Sequence, residues 1–207
     1  MAEEQRLRDA IQANLDQGNY AQCLIALEEL ELLDAEKEGD FPEDYIGRLQ
    51  LQMALYLMED DLDNARHLWR GAPAVAKDEN GPLAKLWAVV AALWRGDAPG
   101  AYAKLNQPWD DSTARLVPAI TERVRERALA QAARAYRRLP LAVVAPLAGL
   151  ADDPAAALRA CLARGWARDP EAPEVLVPAA AAAGRLRAAG GKVGGGGGGG
   201  GGRERLR

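Results

Sequence analysis

Apolar residues return every three or four positions along most of this chain, the spacing of one face of an α-helix. The stripe is clearest between Leu49 and Trp69. Leu49, Met53 and Tyr56 share a face, with Leu57 beside them. The acidic cluster Glu59-Asp60-Asp61 interrupts the run, because Asp competes for backbone groups and favours caps and turns. Leu62, Ala65, Leu68 and Trp69 then open a second stripe. The pattern predicts two helices joined by a short acidic turn. Such a hairpin cannot bury its apolar faces alone, so it needs neighbours.

Similar stripes predict those neighbours. Residues 3–17 align Leu7, Ile11 and Leu15 and stop at Gly18-Asn19-Tyr20. The next helix turns Leu24, Leu27 and either Leu30 or Ala26 inward and becomes acidic from Glu28 to Glu38. Residues 82–95 show a wide apolar face of Leu83, Leu86, Trp87, Val90 and Trp94, closed by Gly96-Asp97. A short helix follows from Ala101 to Leu105. A long one is predicted from Ser112 to Leu139, with Ser112 as N-cap, Pro118 tolerated near its start, and Ile120, Val124, Ala128, Ala132 and Tyr136 buried. Turns at Gly18-Asn19, Asp60-Asp61 and Gly96-Asp97 each separate a helix pair. These unevenly spaced turns resemble degenerate tetratricopeptide-type hairpins stacked into a short solenoid. The five tryptophans are expected to pack core and inter-repeat contacts.

After Leu139 the pattern changes. Leu141, Val143, Val144 and Leu147 predict a short apolar helix, and Gly149-Leu150 a tight turn. Asp153-Pro154 is an N-cap followed by proline at the first helical position, and Leu158, Cys161 and Leu162 face inward. Gly165 suits a left-handed C-cap, Trp166 follows, and Val175-Leu176-Val177 reads as a strand. Helix, turn, helix, strand, loop and strand is the order of a winged helix. Its second helix carries only Arg159 and Arg164 among alanines, with Asp152 and Asp153 at its start, a poor surface for reading nucleic acid. The small sheet is the other usable surface. A free strand edge recruits another chain through main-chain hydrogen bonds. The partner interface is therefore expected at Trp166, Val175, Leu176 and Val177.

Charge and composition sharpen this picture. Residues 1–44 hold 13 acidic and 3 basic side chains, and residues 112–207 hold 16 basic and 8 acidic ones. The basic excess is spread over the second half, which fits charged helix faces meeting each other or charged partners. Cys23 and Cys161 form no CxxC pair, and reduced thiols of a cytosolic or nuclear protein are the simplest reading. The first residues lack the basic-then-apolar order of a signal peptide. The longest uncharged run, from Leu139 to Ala151, contains two prolines and is too short to span a bilayer, so no membrane partner is expected. Neither a cofactor nor a metal is expected. His67 is the one histidine, and no HExxH, Walker loop or GxGxxG after a strand is present. The run Gly194 to Gly202 is expected to be disordered. The organisation read from the chain is a helical-repeat region over 1–110, a winged-helix part over 111–180 and a glycine-rich tail over 181–207.

Helical hairpins followed by a winged helix resemble PCI domains, the assembly modules of the proteasome lid, the COP-nine signalosome and an initiation-factor complex. The fold class implied is mainly α, with a small antiparallel sheet. Residues 45–178 resemble most the family of the signalosome's smallest PCI subunit, its eighth. The likeness lies in Leu55-Tyr56-Leu57, Asp61, Asn64-Ala65-Arg66, Leu68-Trp69, Trp87, Trp94 and Asp97. Gln131-Ala132-x-x-Ala135-Tyr136, Gly165-Trp166 and Leu176-Val177-Pro178 extend it. The resemblance implies a non-catalytic scaffold of the complex that removes Nedd8 from cullin–RING ubiquitin ligases, whose metalloprotease site lies in another subunit. It implies other PCI subunits as partners, no small-molecule substrate, and a cytoplasmic and nuclear location. Family members finish with a long helix in a shared bundle, whereas this chain runs from Pro178 into alanines and glycines. Two other readings are the small PCI subunit of the proteasome lid and a nucleic-acid-binding winged helix.

Overall fold

A computed structural model describes residues 2–35, 42 and 44–178; the glycine-rich tail and most of the acidic loop before Asp44 lie outside them. The chain opens with α1 (Ala2–Gln17) and α2 (Tyr20–Ala35), then α3 (Tyr45–Glu59) and α4 (Leu62–Gly71). A 3₁₀ turn, Ala74–Lys77, leads to α5 (Pro82–Trp94) and α6 (Ala98–Leu105). The second half holds α7 (Asp111–Ala114), α8 (Val117–Ala135), β1 (Leu139–Pro140), α9 (Leu141–Leu147), α10 (Pro154–Ala163), β2 (Ala167–Arg168) and β3 (Val175–Val177). The architecture is mainly helical, with hairpins followed by a winged helix and a three-stranded antiparallel sheet.

The helix predicted from Ser112 to Leu139 is shorter and divided. Asp110, not Ser112, caps α7, accepting from the Thr113 N–H at 3.3 Å. Pro118 sits in the first turn of α8, where its missing N–H costs least, so the chain restarts there. The other end stops at Ala135, and Tyr136 is extended and 53% exposed, not buried as its spacing suggested. Leu129 takes that inward place, together with Ile120, Val124 and Ala132.

The three repeat turns share one closure. Gly18, Asp60 and Gly96 all have left-handed φ, at 70°, 63° and 73°. The next N–H bonds back five residues in each: Asn19 to Asn14 O, Asp61 to Tyr56 O, Asp97 to Ala92 O. This is the Schellman arrangement, which satisfies carbonyls left over at a helix end. Gly149 and Gly165 repeat it, through Leu150 to Ala145 O and Trp166 to Cys161 O. Asp61 and Asp97 then cap the following helices, accepting from Asn64 N and Gly100 N at 3.0 and 2.9 Å. The sequence repeat is thus a repeated way of stopping one helix and starting the next.

Packing passes from one core to another within α8. Ile120 and Val124 join a cluster reaching back to Leu7, while Leu129 and Ala132 join one containing Leu139, Val144, Cys161, Trp166 and Leu176. Trp69 and Trp87 stack with centroids 5.4 Å apart, and Arg66 lies over Trp94. Trp109 donates to Leu105 O at 2.9 Å. Polar contacts tie the two cores together. Arg127 donates to Leu57 O at 2.6 Å and to Met58 O, the last carbonyls of α3. Arg125 Nε donates to Ala148 O at 2.7 Å, and the Tyr102 hydroxyl to Leu147 O at 3.1 Å.

Two predictions follow from these contacts. A Cβ at Gly149 would stand 2.5 Å from the Tyr102 ring, whereas one at Gly18 meets nothing within 4 Å. Gly18→Ala should cost about 1 kcal/mol of left-handed strain. Gly149→Ala should cost about 3 kcal/mol, because overlap adds to strain. Urea unfolding of both variants checks this, and equal losses contradict the packing. Burial also pushes the Tyr102 hydroxyl from 10.0 up to about 12 and the Cys23 and Cys161 thiols from 9.0 up to about 11. Each group stays neutral in the fold after its unfolded counterpart has ionised. Their contribution is complete below pH 9 and is lost as pH rises through about 12. The urea midpoint should fall across that window, with a smaller fall in Cys23→Ala; a flat profile contradicts it.

Candidate functional site

The residues capable of chemistry have structural duties. Cys23 and Cys161 are fully buried, and their raised thiols are poor nucleophiles. Asp60 and Asp61 form a helix stop and a helix start. His67 lies exposed on α4, and no cluster among the described residues could hold a metal ion.

The winged helix offers two faces. On the helical face, Arg164 donates to Glu122 at 2.7 Å and to Ala160 O at 2.9 Å. Glu122 also accepts from Arg125, and Arg159 has Asp153 at 3.8 Å. Arg159 on α10 and Arg164 at its C-cap therefore both face carboxylates of their own chain, which weakens any hold on phosphates.

The other face is the sheet, in the order β1-β3-β2. Val175, Leu176 and Val177 were expected to border a free edge, but they form the middle strand. Leu176 pairs with both Leu139 and Arg168, Val175 with Pro140, and Val177 with Ala167. The side chains of Trp166, Leu176 and Val177 are also buried, at 5%, 0% and 3% exposure. The four residues build the sheet from within. The signal missed is Leu139-Pro140: two residues are too few for a strand period, yet they supply the third strand.

Register decides which border is open. Asp169 N donates to Val175 O at 2.8 Å, so these two form a hydrogen-bonded pair. Antiparallel pairs alternate, so Arg168 opposite Leu176 belongs to a non-bonded pair, and its N–H and C=O point away from β3. On the far side, Leu141 N donates to Glu174 O at 2.8 Å, so Pro140 opposite Val175 is the outward residue of β1. Proline has no N–H to offer there, and it blunts that border as edge prolines do. Among the described residues, only β2 borders the sheet with a complete outward donor and acceptor, on Arg168, and both of its side chains are exposed. Asp169, 2% exposed, braces this strand: it reaches Arg138 at 2.7 Å and accepts from Glu171 N at 3.0 Å.

A family model described as CSN8/PSMD8/EIF3K family matches residues 48–183, which runs from within α3 through the whole sheet. The chain belongs to this family. Among curated relatives, COP9 signalosome complex subunit 8 of Danio rerio is 32% identical over 119 residues, 57% of this chain and 61% of the relative. The Xenopus laevis protein of that name is 30% identical, covering 56% and 60%. The Arabidopsis thaliana one is 24% identical over 140 residues, covering 67% and 69%. The chain thus spans about 60% of the length of the animal relatives. No helix among the described residues is long and apolar enough to cross a membrane.

The register predicts opposite outcomes for two prolines. Val177→Pro removes an N–H aimed at β2 and should destabilise the chain by about 3 kcal/mol. Arg168→Pro removes only an outward N–H, and its melting temperature should stay within about 3 °C of the unmodified protein. Similar losses in both contradict the assigned register.

Proposed function

We propose that this chain is a non-catalytic scaffold subunit of the COP9 signalosome, the complex that removes Nedd8 from cullin–RING ligases. The helical hairpins of residues 1–110 form the repeat region, and the part from residue 111 docks other PCI subunits through the β2 border. Trp166, Val175, Leu176 and Val177 serve this interface from behind, by holding Arg168 in an extended strand. The observation that carries the reading is the asymmetric sheet: one border blunted by Pro140, the other open at Arg168. Main-chain pairing needs no special side chain, and it suits assembly of many related subunits. The names of the relatives support the signalosome over the proteasome lid. The engaged Arg159 and Arg164 argue against a nucleic-acid reader. A location in cytoplasm and nucleus belongs to the same proposal.

Affinity purification from native extract tests it. The tagged chain should bring down signalosome subunits. Arg168→Pro should cut their recovery at least tenfold, while Arg168→Ala, which keeps the N–H, should not. Recovery of proteasome-lid or initiation-factor subunits overturns the assignment, and full recovery with Arg168→Pro overturns the docking mode.

A further inference from the structure

The open border of β2 is one residue wide. Outward positions alternate along a strand, so Trp166 and Pro170 are the residues that could extend it. Trp166 N closes the end of α10, donating to Cys161 O at 3.1 Å, and Pro170 has no N–H. Among the described residues of this border, Arg168 alone offers both groups. An antiparallel strand that takes them sets one residue directly opposite Arg168, about 5.5 Å away between Cα atoms.

A second copy of the chain meets an obstacle on either route. Two-fold pairing of β2 with β2 joins the same surface on both molecules. With one outward residue available, it sets Arg168 against Arg168, and like charges directly opposite destabilise a strand pair. Head-to-tail pairing of β2 with the β1 border of the next molecule meets Pro140, which brings no N–H.

The charge that repels a copy selects a different strand. Arg138 has Asp169, Arg159 has Asp153 and Arg164 has Glu122, whereas no carboxylate among the described residues lies within ion-pair distance of the exposed Arg168. Glu174, its diagonal neighbour on β3, stands outside that distance and across β2 from the border. Opposite charges facing each other across a strand pair stabilise it. We infer that the β2 border excludes a second copy of this chain and takes a strand of a different protein that carries Asp or Glu opposite Arg168. This rests on the docking mode proposed above and adds the partner's chemistry to it.

Affinity purification of the full chain from native extract at low salt compares substitutions that all keep the N–H. Recovery of signalosome subunits with Arg168→Lys should stay within about twofold of the unmodified chain. Arg168→Ala should cut it about threefold and Arg168→Glu at least tenfold, and added salt should narrow the differences. Circular dichroism checks that every variant stays folded. Equal recovery with Arg168→Ala and Arg168→Glu overturns the charge selection, even where Arg168→Pro still abolishes recovery and leaves the docking mode standing. Sedimentation velocity tests the exclusion of a copy. The unmodified chain should run as a monomer, and Arg168→Thr, which lifts the like-charge opposition, should self-associate at least fivefold more strongly. Self-association of the unmodified chain that Arg168→Pro abolishes overturns the exclusion, as does an Arg168→Thr variant that associates no more than Arg168→Lys.

Discussion

Arginine side chains of one helix close the ends of others, and the arrangement of the molecule depends on it. The last carbonyls of an α-helix have no partner within it. Arg127 takes two of them at the end of α3, and Arg125 takes Ala148 O at the end of α9. Helix α8 is thus bound by charge-assisted hydrogen bonds to the hairpins on one side and the winged helix on the other. These groups are half-buried or more, where a lost partner costs more than at the surface. The contacts hold α8 against the hairpins at one end and the winged helix at the other.

The sheet's design follows from that placement. A three-stranded sheet has two borders, and an open border is a hazard as well as a binding device. Here the two differ by one residue's chemistry. Pro140 leaves β1 without an outward donor, and Arg168 gives β2 both donor and acceptor.

Much of the helical part was legible in the sequence. The stripe from Leu49 to Trp69, the turns at Gly18, Asp60 and Gly96, and the Asp153-Pro154 start all rest on local rules of period and cap. Those rules operate within a few residues, so they survive without tertiary knowledge. What failed was non-local. Spacing alone carried Tyr136 into a buried stripe, although the helix had ended one residue earlier. The pairing of Leu139 with Leu176 joins segments distant in sequence, and nothing local marks it. Without β1, the strand Val175–Val177 read as an edge; with it, that strand is the centre. The family likeness pointed to the right class of fold, yet the residues of the border came only from the register.

Amide hydrogen exchange at Arg168 tests the central claim most directly. In the free chain its N–H should exchange rapidly, while the neighbouring Ala167 and Asp169 amides, bonded to β3, exchange slowly. On assembly the Arg168 amide should slow at least a hundredfold and its neighbours should change little. An Arg168 amide already protected in the free chain, or one that exchanges equally fast after assembly, contradicts the account.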